Sequence, residues 1–381
     1  MKKKLAIVAH NINNKGGMEK HLLEMIKRLK YDYAITVIAT ELDCDCEDVK
    51  FMRIPISQRP VFLKSILFMI IVSVILTFKK FDLVHTTGAI VLNRVDVSTV
   101  HFCHKAYHQL GLHDRVKVVK SNAHRLNTWF QNHFARIMEN LCYQPKRIPQ
   151  LVAVSEHVKE ELTRYFNYDN QNVSIIYNGV DTEVFKPVNE TRKKIYKRKR
   201  GMPEDALVFI FVGGDWTRKG LPIMIEVFAH LRSTYPTINA KLLVVGKGDE
   251  KRLLSGLDSN MRNHVIFYGF QENPTELYNT ADIYVLPSLY ETFSIASLEA
   301  AACGLPIIMT EVGISSILAE NGVTGFTVER NKHSLQAACE TLSLNIQLRK
   351  EMSIKAHEKA KYLTWDRSYI LFKALYKNIV N

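Results

Sequence analysis

Short, nearly continuous apolar segments alternate with helical stretches along this chain of 381 residues. Strands that are buried on both faces have such compositions, which are typical of parallel sheets covered by helices on both sides. Two such series in one chain predict two Rossmann-like domains. The predicted strands are Lys4–Ala9, Ile35–Ala39, Met52–Ile54, Leu83–His85, Val97–Phe102, Leu151–Val154 and Val173–Tyr177, followed by Leu207–Val212, Leu242–Val245, His264–Tyr268, Ile283–Leu286 and Pro306–Met309.

The length of the chain also fits two domains. The polar and highly charged stretch Pro187–Pro203 interrupts the alternating pattern, so we expect the domain boundary there. The sequence therefore predicts an N-terminal domain over 1–186, a C-terminal domain over 187–364 and a final helix over 365–381. The segment Asp366–Val380 is amphipathic, as a helix packed on a domain surface should be.

The positive charge of the chain is concentrated in its first half. The net charge is +13, and residues 1–150 carry 23 Lys and Arg against 12 Asp and Glu. Residues 201–350 carry 12 against 16, and seven more basic residues lie between Arg192 and Arg200. Nucleic acid and an anionic membrane are both candidate partners for a basic half. Because no recognised nucleic-acid-binding motif accompanies the charge, we expect peripheral membrane contact and no nucleic acid.

An apolar segment lies within this basic half. Ser65–Phe78 contains 14 residues without a charge and is bracketed by lysines. A membrane-spanning helix needs about 20 residues, so a buried helix is expected, and a helix lying on a bilayer surface is the alternative. We expect the basic residues Arg115, Lys117 and Lys120 to face the lipid.

Two features indicate a cytoplasmic protein. The N-terminal sequence MKKKLAIVAH has an apolar run that is too short for a signal peptide. The six cysteines are scattered, which fits free thiols in a reducing compartment.

We expect no metal site. Cys44 and Cys46 form a C-x-C without a matching pair, which is a poor zinc ligand set. Asp43 and Asp45 form a D-x-D, a motif that binds metal and diphosphate in some enzymes. Here it lies in the acidic segment DCDCED, which favours a solvated loop.

The segment Tyr290–Met309 contains the most informative group of residues. Glu291 and Glu299 are separated by seven residues, with Pro287-Ser288 before them and Gly304-Leu305-Pro306 after them. Glu291 is predicted to lie in the loop before a helix, and Glu299 about two turns later within it, so both can face one side. The N–H groups at the start of such a helix can bind phosphate, while the carboxylates bind sugar hydroxyls. A solvated helix face with two unrelated acids is the alternative.

Two loops after predicted strands have the composition of phosphate-binding turns. In the first, Gly16 and Gly17 lie before a helix, where the backbone can approach an anion closely. The loop lacks the G-x-G-x-x-G pattern, which argues against a dinucleotide. In the second, Arg218 and Lys219 can neutralise a departing diphosphate. An ordinary tight turn and a solvated turn are the alternatives.

Two histidines lie at the end of the predicted strand Val97–Phe102. His101 and His104 are both candidate site residues, and a core histidine at a strand edge is the alternative for each. Their loose spacing supports neither a Ser-His-Asp triad nor a metal site.

Together these segments resemble the retaining glycosyltransferases of family 4, which have the GT-B fold. The resemblance spans roughly Leu5 to Val328 and is densest in the second half, where the Glu–seven–Glu signature matches Glu291 and Glu299. It implies an α/β fold with two Rossmann-like domains facing a cleft. The N-terminal domain would bind the acceptor and the C-terminal domain the nucleotide-sugar. The last helix would cross back to the first domain.

The resemblance implies a diphosphate site. Gly17 matches the second glycine of the family's G-G-x-E loop, which lies near the donor's diphosphate. Lys219 matches the family lysine that binds the same group. Gly214 occupies the position of the family's arginine, so Arg218 is expected to supply the second positive charge.

The resemblance also implies roles in binding the nucleoside and the sugar. Glu299 would bind the ribose. Glu291 would bind hydroxyls of the donor sugar together with the backbone N–H groups of Phe293 and Ser294. His101 would bind the sugar beside its anomeric carbon.

The implied function is transfer of a sugar from a nucleotide-diphosphate sugar, with UDP as the expected nucleotide, to a glycan or lipid-linked acceptor of the cell envelope. The implied mechanism retains the anomeric configuration and uses no metal or other cofactor. A nucleotide-sugar epimerase or phosphorylase of the same fold, and a non-catalytic subunit that binds sugar nucleotides, are the alternatives.

Overall fold

The computed structural model divides the chain into two compact units. The first comprises Met1–Asn178 and Trp365–Asn381, and the second comprises Gly179–Thr364. The structure describes residues 2–13, 16–44, 46–112, 122–257 and 259–380. Asp45 and the basic residues Arg115, Lys117 and Lys120 lie outside the described residues.

Seven of the described strands of the first unit form a parallel sheet. The strands of this unit are β1 (Lys4–Val8), β2 (Asn11–Ile12), β3 (Ala34–Ala39), β4 (Glu41–Leu42), β5 (Lys50–Arg53), β6 (Leu83–Thr87), β7 (Val97–Val100), β8 (Gln150–Ala153) and β9 (Val173–Ile175). The sheet order is β5-β3-β1-β6-β7-β8-β9, and β2 pairs separately with β4. The helices are α1 (Gly17–Leu29), α2 (Val61–Phe78), α3 (His104–Gln109), α4 (Asn122–Cys142) and α5 (Glu156–Tyr165).

The second unit is built in the same way around six described parallel strands. These are β10 (Leu207–Val212), β11 (Ala240–Val245), β12 (Val265–Gly269), β13 (Ile283–Leu286), β14 (Ile307–Thr310) and β15 (Gly325–Val328). Their order is β12-β11-β10-β13-β14-β15. The helices are α6 (Glu190–Lys199), α7 (Trp216–Lys219), α8 (Leu221–Thr234), α9 (Glu250–Leu254), α10 (Ser259–Arg262), α11 (Thr275–Thr280), α12 (Ile295–Ala302), α13 (Ser315–Leu318), α14 (Lys332–Leu344) and α15 (Ile346–Ala360).

The composition of the central strands explains why the sheets are covered on both faces. In β10, Phe209 and Phe211 point to one face while Val208 and Ile210 point to the other, because side chains alternate along a strand. All four are fully buried. The prediction of two α/β units with parallel sheets is therefore confirmed.

The chain enters the second unit at Gly179, upstream of the boundary expected after Lys186. The rings of Phe185 and Tyr278 lie with their centroids 6.1 Å apart. Asn279 Nδ2 donates a hydrogen bond to the carbonyl oxygen of Lys186 at 3.1 Å. These contacts join the residues up to Lys186 to the second unit.

The final helix, α16 (Trp365–Val380), belongs to the first unit. The ring of Phe372 lies 5.5 Å from that of His21 on α1. Tyr376 shares a hydrogen bond with the buried ring of His85 on β6, whose other nitrogen contacts Thr99 Oγ1 at 2.7 Å. Since Phe372 and Tyr376 are buried in these contacts, α16 completes the core of the first unit.

Helix α2 is less buried than the sequence predicts. Among the described helices it alone is long and apolar enough to cross a membrane by length and composition, with a mean hydropathy of 2.6. Its buried residues are Lys64, Ser65, Phe68 and Val72. The expectation of a buried helix over Ser65–Phe78 is therefore wrong, because only one side of a helix that is apolar all round contacts the rest of the unit.

The charged stretch that was expected to mark the domain boundary forms helix α6. Its basic side chains make ion pairs within the second unit. Lys193 and Lys197 contact Asp282 at 2.7 and 3.0 Å, and other members of the cluster contact Glu204 and Glu276. The charge of α6 is thus largely compensated inside the unit and does not indicate an external anionic partner.

The expectation of free thiols is wrong for one pair of cysteines. Cys44 and Cys46 are joined by a disulfide, and their Cα atoms lie 5.3 Å apart, within the range that a disulfide spans. Cys103, Cys142, Cys303 and Cys339 are free and buried.

We predict that Phe372→Ala destabilises the first unit by about 3–5 kcal/mol, because it leaves a cavity between α16, α1 and β6. Ile370→Ala is the matched control, since Ile370 lies on the same helix and is 61% exposed. Urea denaturation, with hydrogen exchange of α1 and β6 as the local measurement, tests this expectation. Equal losses of stability in the two variants would contradict the placement of α16.

Candidate active site

The loop that follows β10 positions two cations at the carboxyl end of the second sheet. Arg218 and Lys219 end the short helix α7. At Gly213, with φ +146°, a Cβ atom would lie 2.5 Å from Cδ of Lys219. At Gly220, with φ +83°, a Cβ atom would lie 2.1 Å from the carbonyl oxygen of Pro287. Both positions therefore require glycine, and the loop packs tightly against the end of β13.

The two cations converge on one carboxylate oxygen. Lys219 Nζ lies 2.7 Å from Glu291 Oε1, and Arg218 Nη1 lies 3.2 Å from the same atom. Arg218 Nη1 also donates to the carbonyl oxygen of Tyr290, and its Nε donates to Asp215 Oδ2 at 2.9 Å. These contacts join the loop after β10 to the loop after β13.

Glu291 is an ionised carboxylate in a buried position. Burial alone would raise its pKa, but the adjacent Lys219 and Arg218 hold the pKa below its ordinary value. Ser288 Oγ donates a further hydrogen bond to Oε1 at 3.0 Å. Glu291 is 9% exposed, so its charge acts in a medium that screens it weakly.

The loop containing Glu291 turns sharply into helix α12. Ser294 caps the helix in the left-handed region with φ +76°, and its Oγ accepts a hydrogen bond from the N–H of Ser297 at 3.4 Å. This conformation is uncommon for a residue other than glycine. Gly313 packs against this turn so closely that a Cβ atom on it would lie 2.6 Å from the carbonyl oxygen of Phe293. The strained backbone at Ser294 is thus held by its surroundings.

Glu299 lies within α12, and Glu291 lies in the loop before it, as predicted. Glu299 is 6% exposed, and the hydroxyl of Tyr278 donates to its Oε2 at 3.2 Å. Burial, and then the neighbouring Glu299, raises the pKa of Tyr278 well above its ordinary value, so Tyr278 acts as a neutral donor. This bond fixes the orientation of the Glu299 carboxylate.

The two candidate histidines of the first unit lie at the end of strand β7 and the start of helix α3. His101 follows β7 and His104 begins α3, and both line a cavity of about 210 Å³. Other residues around the cavity include His10, Met18, Met69, Phe134, Met138 and Glu139. The structure therefore brings His101 and its rival His104 to the same cavity.

Both histidines are neutral at pH 7. Burial, followed by the neighbouring His21 and His85, lowers the pKa of His101 well below its ordinary value. Burial and Arg136 lower the pKa of His104 to about 4. Among the described residues His101 Nε2 has no hydrogen-bond partner, and its ring lies 5.0 Å from that of His21. A neutral imidazole of this kind can bind a hydroxyl group without carrying charge.

Gly17 is the first residue of α1, directly after Gly16. A Cβ atom on Gly16 would lie 2.2 Å from Oε2 of Glu19, which keeps this helix N-terminus compact. Asn14 and Lys15, the preceding residues of the loop, lie outside the described residues. Gly17 and His101 thus belong to the first unit, and the other candidate site residues belong to the second.

In the described part of the chain, no group of three or more His, Cys, Asp or Glu side chains is arranged to hold a metal ion. Asp43 follows β4, and its backbone N–H donates to the carbonyl oxygen of Ile12 at 2.9 Å. The other carboxylate of the D-x-D, that of Asp45, is among the residues that are not described.

The sequence did not single out Asp215 and Ser288, which both contact the central ion pairs. Asp215 lies three residues before Arg218, a spacing at which acidic and basic side chains often pair on a helix. That spacing was a usable signal. Ser288 had no such signal, because its role depends on the tertiary approach of two loops.

Both units match family models. Residues 15–184 match Glycosyltransferase Family 4, and residues 192–359 match Glycosyl transferases group 1. The chain belongs to these group 1, family 4 glycosyltransferases.

This family 4 chain is 34% identical to the uncharacterized glycosyltransferase MJ1607 of Methanocaldococcus jannaschii over an alignment of 184 residues, covering 47% of this chain and 46% of that protein. It is 27% identical over 198 residues to the UDP-Gal:alpha-D-GlcNAc-diphosphoundecaprenol alpha-1,3-galactosyltransferase of Escherichia coli, covering 50% and 49%. The matched part of the chain thus spans about half the length of these relatives.

A solved structure similar to this chain is WaaG, a glycosyltransferase involved in lipopolysaccharide biosynthesis. The TM-score is 0.80 at 19% identity, and the likeness covers 98% of this chain and 99% of WaaG. This likeness confirms the GT-B fold.

We predict that Lys219→Ala lowers the rate of sugar transfer by about 10²–10³-fold, as loss of a preorganised charge typically does. Arg218→Ala should cost less, because Arg218 is held by Asp215 and by the Tyr290 carbonyl. Steady-state kinetics over donor concentration measures both losses. Lys332→Ala, on the exposed start of α14, is the control. Equal or reversed losses would show that the cation roles are misassigned.

We predict opposite effects on diphosphate affinity at the two glutamates. Glu291→Gln should lower turnover yet tighten UDP binding, because it removes the negative charge that competes with the diphosphate for Lys219 and Arg218. Glu299→Gln should weaken UDP binding by about 1.5–3 kcal/mol, the value of a charge-assisted hydrogen bond. Calorimetric titration with UDP distinguishes the two.

The matched control for both glutamates is Glu226→Gln, an exposed substitution on α8 that should bind UDP like the wild type. Weaker UDP binding by Glu291→Gln would mean that this carboxylate does not oppose the diphosphate.

Proposed function

We propose that this chain is a retaining glycosyltransferase that moves a sugar from a UDP-sugar to a hydroxyl of a lipid-linked or other cell-envelope glycan. The observation that carries the proposal is the convergence of Lys219 and Arg218 on Glu291 just before α12, the helix that contains Glu299. Two cations beside a buried carboxylate supply what the departing diphosphate and the sugar hydroxyls each need.

Each side chain of the second unit has a distinct role in this proposal. When the donor binds, Lys219 and Arg218 release the Glu291 carboxylate and bind the diphosphate instead. Glu291, with the backbone N–H groups of Phe293 and Ser294, then binds hydroxyls of the transferred sugar. Glu299, oriented by its bond from Tyr278, binds the ribose.

In the first unit, Gly17 approaches the diphosphate at the start of α1, and neutral His101 binds a sugar hydroxyl. The family resemblance supports both roles. The low pKa of His101 supports a role as a hydrogen-bonding group, because a cation there would need a counterion that its buried position lacks.

The proposed reaction is a displacement on one face of the sugar. The bond from the anomeric carbon to the β-phosphate oxygen breaks, and a bond to the acceptor oxygen forms on the same side. The acceptor's proton passes to the departing phosphate, so no enzyme carboxylate has to form a covalent bond. Lys219 and Arg218 stabilise the charge that develops on the diphosphate.

The acceptor and the location form part of the same proposal. The Escherichia coli relative is named for an acceptor carried on diphosphoundecaprenol, and WaaG for lipopolysaccharide biosynthesis. These names support a lipid-linked acceptor, and we place the enzyme in the cytoplasm, peripheral on the inner face of the membrane, as part of the same proposal. The excess of Lys and Arg over residues 1–150 supports peripheral contact with anionic lipid.

We predict that a mass-spectrometric screen of nucleotide-sugars finds slow hydrolysis of one UDP-sugar and that added acceptor accelerates its consumption. NMR of the product should show the donor's anomeric configuration, and dialysis against a chelator should leave the rate unchanged. An inverted product would exclude the retaining mechanism. Loss of activity on chelation that manganese restores would instead indicate a metal at Asp43 and Asp45.

A further inference from the structure

Helix α2 is apolar on both its packed side and its outward side. The packed side contains Phe68 and Val72, which are fully buried, together with the polar residues Lys64 and Ser65, each 7% exposed. The side that faces outward forms an apolar row of five residues with these exposed fractions: Leu63 43%, Leu67 39%, Ile70 49%, Val74 53% and Phe78 81%. A surface helix of a protein surrounded by water normally presents charged or polar residues outward. This row therefore lacks the environment that its composition requires.

Polar contacts fix the helix in this orientation. Lys64 Nζ donates to Asn11 Oδ1 at 3.0 Å and to Gln58 Oε1 at 2.6 Å. Ser65 Oγ donates to Gln131 Oε1 of α4 at 3.3 Å and accepts from Gln131 Nε2 at 3.2 Å. Rotation of α2 to bury the apolar row would break these bonds and leave a buried ammonium group without partners, which is strongly unfavourable.

The neighbouring helix α4 extends the apolar surface. The rings of Phe62 on α2 and Phe130 on α4 lie 5.5 Å apart, so the two helices are in contact there. Phe130 is 42% exposed and Trp129 is 54% exposed. We call the apolar row of α2 together with Trp129 and Phe130 the α2 face. It includes exposed aromatic as well as aliphatic side chains, and groups of exposed apolar residues mark interaction sites.

The charges around the α2 face indicate a bilayer as its partner. Arg59 lies before α2 and Lys79 and Lys80 follow it, all three exposed, and the sequence has no acidic residue between Asp48 and Asp82. A helix with an apolar row and flanking cations is suited to lie in the plane of an anionic membrane surface. A spanning orientation is excluded, because the opposite side of α2 is packed into the unit.

We propose that the α2 face inserts into the acyl boundary of an anionic bilayer, with α2 parallel to the membrane plane. The proposal deepens the proposed function, since it rests on a lipid-linked acceptor as the reason for docking. Ser65 and Met69 of α2, and Gln131 and Phe134 of α4, also line the cavity that contains His101. The docked helices would therefore lie between that cavity and the bilayer, close to the lipid surface from which the acceptor comes.

The test is flotation of the full chain with vesicles of phosphatidylcholine and phosphatidylglycerol, and with phosphatidylcholine alone, at low and high salt. The wild type should bind the anionic vesicles at low salt and keep part of that binding at high salt, because apolar insertion is not screened. The double variant Ile70→Ser and Val74→Ser should bind about tenfold more weakly for each substitution. Lys79→Gln with Lys80→Gln should remove only the salt-sensitive part.

The matched control is Ile370→Ser with Ile354→Ser, two isoleucines that are each 61% exposed on other helices. It should float like the wild type. Trp129 gives a direct measurement, since Trp216 and Trp365 are 6% and 1% exposed. Its emission should shift to the blue and be quenched by brominated lipid. Wild-type flotation of the α2 variant, or unquenched Trp129, would overturn the proposal.

A second copy of the chain is the competing occupant of the α2 face. Analytical ultracentrifugation without lipid distinguishes it, because a wild-type dimer that the α2 substitutions dissociate would overturn the membrane assignment.

Hydrolysis of the UDP-sugar in solution separates this proposal from the proposed function. The α2 variants should hydrolyse the donor at the wild-type rate. A chain that floats through α2 but turns over no nucleotide-sugar would refute the proposed function alone.

Discussion

The carboxylate of Glu291 is the point at which the second unit's two functional loops are joined. The loops follow β10 and β13, which are parallel neighbours, so they open at the same edge of the sheet. Lys219 and Arg218 would repel each other at this edge if no negative charge lay between them. Glu291 offsets both charges in a buried position, and Ser288 and the Tyr290 carbonyl complete the set of contacts. The side chains that hold the two loops together are thus the same ones that a bound diphosphate would rearrange.

The histidines of the first unit contrast with this charged cluster. His21, His85 and His101 are all neutral, because burial lowers their pKa values; His21 lowers the pKa of His85 further, and His21 and His85 lower that of His101. His85 is fixed by bonds to Tyr376 and Thr99, whereas His101 Nε2 has no hydrogen-bond partner among the described residues and His101 lines a cavity. The same residue type therefore serves the core at one position and is available to a ligand at another.

The periodic and local features of the structure were predictable from the sequence, and the features that depend on distant contacts were not. Continuous apolar runs such as Leu207–Val212 indicate buried parallel strands without further information. The placement of Glu291 before α12 and Glu299 within it follows from local spacing. In contrast, the orientation of α2 depends on the contact of Lys64 with Asn11, 53 residues away in sequence, and an all-apolar segment gives no sign of which side is buried. The contact of Arg218 with the carbonyl of Tyr290, 72 residues away in sequence, also needed the folded loops.

The position of α16 has a consequence for how the protein is made. The core of the first unit includes Trp365, Phe372 and Tyr376, yet the whole second unit is synthesised between Asn178 and these residues. At about 5–20 residues per second, the delay is roughly 10–40 s. During that time the surface of α1 and β6 that α16 covers is exposed on the nascent chain, while the second unit can already fold. The first unit can therefore complete its core only after the second unit has been synthesised.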